Sequence, residues 1–251
     1  GGGGGGGAAP GGGGAAPGGG GASPPISGEP TSNGNDTVYT NTVNSSGVGN
    51  LDPLNGAPYA LQGGNDQIGS LTNPMNGNDF ISGGDGNDLI YNGSGTDIIM
   101  GGAGSDVIVT HGSGTKIITG GLLDNPAQAT QSSVTNDSTL DTFVFDPTDA
   151  SNLGTEASTT FIAGFEDGTD KLYIEDAQNG YQGVEDAFSS GMLDVSLDDG
   201  ITYVSYDSTV GGGAAYNANA VLFALVGNYS GAGVLSDADL VGPEPDMFVI
   251  T

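Results

Sequence analysis

The chain has no cysteine, no tryptophan and no arginine, a single histidine (His111) and two lysines (Lys116 and Lys171). Without cysteine, no disulfide staples the fold and no thiol serves as nucleophile or metal ligand. A single histidine cannot supply the two that HExxH needs, and G-x-S-x-G does not occur. No apolar run approaches the roughly 20 residues of a membrane span, and no N-terminal signal peptide is visible ahead of the opening glycines. Against the two lysines stand 30 Asp and Glu, a formal charge of -28. Such a chain repels nucleic acid and anionic lipid surfaces, and its self-repulsion opposes compaction. We therefore expect no nucleic-acid partner and no membrane insertion. The partner its chemistry asks for is a cation.

What is abundant is glycine, 50 of 251 residues. Residues 1–30 are a Gly/Ala/Pro-rich tail in which GGGGAAP recurs with period seven. Its composition reads as a flexible linker, or as an extended chain whose free backbone groups pack along a neighbouring subunit. Residues 31–60 hold one isolated copy of a later motif, NGNDTVY. Residues 61–121 are a repeat array, which makes 31–121 one unit with an irregular N-terminal part. Residues 122–138 read as a loop. From 139 to 251 the texture is β-rich: DTFVF, TTFIAGF, KLYIE, LDVSL, ITYVSY and AVLFALVG are strand candidates. DDG at 198–200 reads as a hairpin turn, and VEDAFSSGM as a short helix. The fold class expected is all-β.

Aligned on their Asp, the array copies read LQGGNDQIG, PMNGNDFIS, GGDGNDLIY, NGSGTDIIM, GGAGSDVIV and a degenerate HGSGTKIIT. The pattern is G-G-x-G-x-D-x-U-x with U aliphatic. The glycines allow turns with positive φ and close backbone approach. The x-U-x triplet is a short strand with U inward. A turn and a strand take nine residues, so two copies make one coil with two small parallel sheets. Residues 18 apart then stack at about 4.8 Å, Asp79 on Asp97 and Asp88 on Asp106. Two stacked carboxylates repel by roughly 1–3 kcal/mol in a wet environment, and a hard cation between them reverses the sign. Ca2+ takes 6–8 oxygens in a flexible cage, whereas Mg2+ demands strict octahedral geometry and zinc would want His or Cys. The candidate ligands are Asp66, Asp79, Asp88, Asp97 and Asp106, completed by the Gly-rich turns at Gly83, Asp85, Asn92, Ser94, Gly101 and Ala103. A merely disordered Gly/Asp segment would not hold Ile68, Ile81, Ile90, Ile99, Ile108 and Ile118 in register. The chain is expected to be largely disordered without calcium.

This pattern resembles the calcium-binding nonapeptide repeat of RTX proteins. The segments DTFVFDPTDAS…TTFIAGFEDGTDKLYIED and AVLFALVGNYSGAGVLSDADL resemble those that close such arrays in secreted bacterial proteins, including serralysin-type proteases. The resemblance spans roughly residues 61–251 and implies a calcium-bound parallel β-roll, a β-solenoid, with a β-rich capping domain. The final DMFVIT resembles the uncleaved C-terminal signals of type I secretion substrates. It implies the type I secretion machinery as a partner and an extracellular or cell-surface location.

Two positions depart from the pattern. Lys116 replaces the repeat Asp, as an ammonium standing in for calcium beside Asp97 or as surface decay of the last copy. His111, at a turn, reads as solvated. Around the inward aliphatics, Phe80, Leu89, Tyr91, Ile98, Met100, Val107, Val109 and Ile117 point outward and make flanks too apolar for water. The C-terminal domain or the 122–138 loop is expected to cover one flank and another subunit the other. No residue set marks a catalytic pocket, and an ice-binding surface would need a regular outward row of Thr that is lacking. The reading is a secreted, non-enzymatic structural protein that folds on extracellular calcium and self-assembles into a filament, surface layer or matrix element, as a homo-oligomer or polymer. The alternative is a calcium-folded secretion or adhesion module from a larger adhesin or hydrolase.

Overall fold

A computed structural model describes residues 1, 37–38, 59–60, 63–72, 74–123, 134–135, 137–147, 150–176, 182–183, 185–207, 217–226 and 235–241. The glycine tail from residue 2 to residue 30 and the terminal DMFVIT lie outside the described residues, as does Asp36 in the isolated motif copy.

The strands are β1 (Thr37–Val38), β2 (Tyr59–Ala60), β3 (Gln67–Ile68), β4 (Phe80–Asp85), β5 (Leu89–Asn92), β6 (Asp97–Ala103), β7 (Val107–Thr110), β8 (Lys116–Thr119), β9 (Leu122–Leu123), β10 (Val134–Thr135), β11 (Thr142–Phe145), β12 (Thr160–Ile162), β13 (Lys171–Asp176), β14 (Gln182–Gly183), β15 (Leu193–Asp198), β16 (Ile201–Tyr206) and β17 (Val221–Val226). Through the array they alternate between two sheets. The first runs β1-β3-β5-β7-β11-β13-β14 and the second β15-β16-β17-β12-β8-β6-β4-β2. Pairing within the array is parallel, with Ile90 opposite Ile108 in the first sheet and Ile81 opposite Ile99 in the second. The chain is all-β with parallel sheets, as its nine-residue period requires.

The strands after residue 139 join these same sheets. β11 pairs with β7 and β12 with β8, both parallel. Parallel order ends at β14 in the first sheet and at β16 and β15 in the second, which pair antiparallel. The β15–β16 connection is the expected tight turn, with Asp199 at φ 47° and Gly200 at φ 79°, both positive as a two-residue hairpin loop requires. The expected helix at VEDAFSSGM does not form. Glu185–Gly191 is a run of turns, with only isolated backbone bonds such as Ser190 N–H to Asp186 O at 2.8 Å. Its Phe188 and Met192 pack against the core, and Asp237 Oδ1 takes the Phe188 and Ser189 N–H groups, so tertiary contacts override the local propensity.

The core lies between the sheets. Ile68, Ile81, Ile90, Ile99, Ile108 and Ile118 are all fully buried, one from each repeat. Past the array the same column holds Phe143, Ile162, Leu172 and Leu225, and Phe145 stacks on Phe223 at 4.5 Å between centroids.

The outward flanks are covered within the single chain. Phe80 and Met100 pack with Leu123 and Ala163, beside Ile98, Ile117 and Val134. Leu122–Leu123 and Val134–Thr135, within the stretch read as a loop, form an antiparallel pair over this flank. On the other flank Leu89, Tyr91 and Val109 pack with Val144 and Tyr173, beside Val107 and Val241. Of the array flank residues, Phe80, Leu89, Tyr91, Met100 and Val109 are buried, while Ile98, Val107 and Ile117 are half-buried. The contact with another subunit expected for the second flank is therefore not needed to bury it.

Since Ile99 is fully buried between the sheets, Ile99→Ala should destabilise the calcium-bound fold by about 2–5 kcal/mol, read as a lower urea midpoint at saturating calcium.

Candidate metal centre

Each repeat glycine has its own reason. Gly84 and Gly86, at the second and fourth positions, have φ of 114° and 131°, values that side chains avoid. Gly83 and Gly101, at the first position, are needed for space. A Cβ on Gly83 would overlap Asp88 Oδ2 and come within 2.5 Å of Gly101 O; on Gly101 it would overlap Asp106 Oδ2 and come within 2.5 Å of Gly120 O. A carboxylate oxygen and the carbonyl of the following coil thus share a hollow that only glycine leaves open.

The carboxylates stack as the spacing predicts. Asp97 Oδ1 accepts Asp79 N–H at 2.9 Å and Asp106 Oδ1 accepts Asp88 N–H at 2.8 Å. Asp88 Oδ1 likewise accepts Asp66 N–H at 2.8 Å, across 22 residues. The four extra residues are Ser70–Asn73, inserted between two repeats. All five predicted Asp ligands are at most 2% exposed. Oδ1 of Asp88, Asp97 and Asp106 is used by the backbone of the preceding coil, while Oδ2 of Asp79, Asp88 and Asp106 has no hydrogen-bond partner among the described residues. A buried, bare carboxylate oxygen is expensive, and a hard cation suits it.

The predicted turn ligands are differently placed. The carbonyls of Asp85, Ser94 and Ala103 accept N–H groups of Gly64, Gly77 and Gly86 at 2.7–2.9 Å, leaving each a second lone pair. Asn92 O accepts His111 N–H at 2.9 Å, and its side-chain Nδ2 donates to Asp97 Oδ2 at 3.0 Å. Side chains at the variable positions also tie coils together. Asn65 Oδ1 accepts Asn87 N–H, and Asn87 Oδ1 accepts Ser105 N–H, both at 2.9 Å. Among the described residues no three Asp, Glu or His side chains converge on one point. The arrangement offers carboxylates alternating with backbone carbonyls, an oxygen-only set that fits calcium.

The ladder runs further than the repeat pattern. Asp141 Oδ1 accepts Asp106 N–H at 2.9 Å, and Asp170 Oδ1 accepts Asp141 N–H at 3.2 Å. A Cβ on Gly120 would overlap Asp141 Oδ2, as Gly83 and Gly101 do with their own Asp. Neither Asp141 nor Asp170 was among the predicted ligands. The signal was present: D-T-F at 141–143 repeats the D-x-U spacing of the array without its glycines, and G-T-D-K-L at 168–172 keeps the glycine two residues before the Asp, Gly168, at φ 78°.

Lys116 is buried, 1% exposed, which removes the surface-decay reading. It lies in register with Asp97, and its Nζ donates to Gly112 O at 2.9 Å. Burial lowers its pKa and the Asp97 charge opposes that. His111 is half-buried rather than solvated.

Burial raises six ladder carboxyls above their usual value: Asp97 to about 6, Asp79, Asp88 and Asp170 to about 7, Asp141 to about 8 and Asp106 to about 9. Like charges add to the rise, as Asp88, Asp141 and Asp137 do at Asp106. An unfolded Asp titrates near 3.9, so between pH 4 and 9 the metal-free fold binds more protons than the unfolded chain. Its stability therefore falls as pH rises through that window. In chelator, circular dichroism should show more β-structure near pH 4 than near pH 8. Calcium needs the ionised carboxylates, so its uptake should release protons and strengthen with pH. Gly101→Ala, which adds a methyl at an ordinary φ, should weaken calcium binding by roughly 10–100-fold, as changes around metal sites do, read by calcium titration of the folding transition.

Residues 75–108 match the RTX calcium-binding nonapeptide repeat, in four copies. Among solved structures, the AlgE6R2 subunit from the Azotobacter vinelandii mannuronan C5-epimerase is similar at 23% identity, covering 77% of this chain and 98% of that chain with a TM-score of 0.35. No curated protein matches the chain.

Proposed function

We propose that this chain, whose residues 75–108 are RTX calcium-binding nonapeptide repeats, is a calcium-folded module that works outside the bacterial cell. The observation that carries this is the set of buried, bare Oδ2 atoms on Asp79, Asp88 and Asp106, two of them facing turn carbonyls across a glycine hollow. Calcium supplies the charge that the chain lacks. Asp66, Asp79, Asp88 and Asp106, with carbonyls of the Gly-rich turns such as Gly101 and Gly120, would hold it. Asp141 and Asp170 would carry the same row onward.

In this reading residues 31–121 form a β-solenoid of the β-roll kind, and residues 139–251 cap it and end in a type I secretion signal. Leu122–Leu123 and Val134–Thr135, from the stretch read as a loop, lie over one flank, and residues 1–30 are a tail. The chain has no catalytic role of its own and serves folding, secretion or adhesion. Millimolar calcium outside the cell would fold a chain exported unfolded. Among the described residues no helix is long and apolar enough to cross a membrane.

The reading as a self-assembling filament, surface layer or matrix element keeps the period-seven glycine tail as its support. It loses most of the apolar flanks, since Phe80, Leu89, Tyr91, Met100 and Val109 are buried in one chain. Sedimentation velocity of the full chain in chelator and in millimolar calcium separates the two. Calcium should convert a slow, expanded species into a compact monomer. Large reversible polymers would restore the assembly reading, and an unchanged sedimentation profile would overturn calcium-driven folding altogether. Asp141→Ala and Asp170→Ala should each raise the calcium concentration needed for folding, although both lie beyond the matched repeats. An unchanged midpoint in both would confine calcium to the array.

A further inference from the structure

The buried Asp of repeat 92–100 is not like the others. Oδ2 of Asp79, Asp88 and Asp106 has no hydrogen-bond partner among the described residues, but Asp97 Oδ2 accepts from Asn92 Nδ2 at 3.0 Å. Asn92 stands at the first position of its repeat, where Gly83 and Gly101 stand in theirs. Those glycines leave the hollow beside Asp88 and Asp106 that a Cβ would fill. Asn92 fills the corresponding place with its own side chain and turns its amide onto the carboxylate. Asn92 is itself fully buried, and its Oδ1 has no partner among the described residues.

On the far side of Asp97, the next strand of the second sheet places Lys116 in register. Its side chain is 1% exposed and is anchored through Nζ to Gly112 O at 2.9 Å. With Asp97 Oδ1 on Asp79 N–H, both carboxylate oxygens have donors and a cation already lies beside the group. An ammonium in this position also repels a dication entering the same hollow.

We infer that the Asp97 turn takes no calcium, because Lys116 is its built-in cation and Asn92 its built-in ligand. The two rows of turns are then unequally loaded: one carries calcium along Asp66, Asp88 and Asp106, while the other closes at Asp97. This rests on the reading that the repeats bind calcium at all.

Calcium bound per full-length chain, counted by equilibrium dialysis, tests it on the wild type and three variants. Asp88→Asn should lower the count. The neutral pair Asp97→Asn/Lys116→Met should fold in calcium, by circular dichroism, with the wild-type count. Asn92→Gly/Lys116→Asp, which opens the hollow and restores the carboxylate, should bind one ion more than the wild type. A lower count in the neutral pair would overturn the inference, because Asp97 would then have been a ligand. So would failure of that pair to fold in calcium, since removing two matched charges should leave the turn satisfied. No gained ion in the opened variant would overturn it as well. A wild type that binds no calcium would instead remove the underlying reading, whatever the variants do.

Discussion

Stacked carboxylates without a countercharge set the terms for the rest of this structure. Each coil places an Asp on the Asp of the coil before it, and Oδ1 is drawn into the backbone of that earlier coil, as at Asp97 and Asp106. The bond fixes the side chain in a buried position, so it cannot swing into water to relieve repulsion. Oδ2 is then aimed at the glycine hollow and the next coil's carbonyl. Like charges held in low dielectric are strongly unfavourable, and burial pushes these carboxyls towards the protonated form. The choice is proton, metal or ammonium. The array places Lys116 at one level and bare oxygens at others.

Most of this was legible in the sequence because the repeat is local. Nine residues fix a turn and a strand, the inward aliphatic names the core, and stacking follows from counting. The fully buried Ile68 to Ile118 column needed nothing else. The Asp141 and Asp170 extension was harder. Asp141 lacks the flanking glycines, Asp170 keeps only Gly168, and the gap from Asp106 to Asp141 is 35 residues, so no fixed period leads to it. The partnership of Asn92 with Asp97 was also hidden. From sequence Asn92 reads as a turn ligand, and nothing in the repeat pattern shows that its amide donates to Asp97 Oδ2. Lys116 could be read either way from sequence, and only its burial decided between a replacement cation and surface drift.

The flanks show why outward apolar positions mislead in a thin parallel coil. Alternation along a three-residue strand correctly puts Phe80, Met100, Leu89 and Tyr91 on the outside. What the repeat cannot reveal is which distant segment lies over them. Leu123 and Val134 cover one side through a strand pair inside a stretch whose Pro, Gln, Ser and Asn content reads as loop. Val241 lies against the other side, more than 130 residues beyond Val107 in sequence. Burial of these flanks is a property of the whole chain, and inferring assembly from them alone would assign to a partner what the C-terminal half supplies.

The same carboxylate constraint accounts for where parallel order stops. In the first sheet the Asp ladder reaches Asp170, immediately before β13, and β13 is the last parallel strand; β14 pairs antiparallel. In the second sheet the ladder gives way to Lys116 and then to Thr160 in the same register. One further parallel strand, β17, follows before β16 and β15 return as an antiparallel pair. Parallel coils stack turn upon turn, so their turn carboxylates fall in line and must be compensated at every level. An antiparallel hairpin sends its turn to the end of the sheet, where Asp199 and Gly200 are exposed and solvated. Strand direction changes at the first strand beyond the last ladder residue in the first sheet, and in the second sheet after two further parallel strands, β12 and β17.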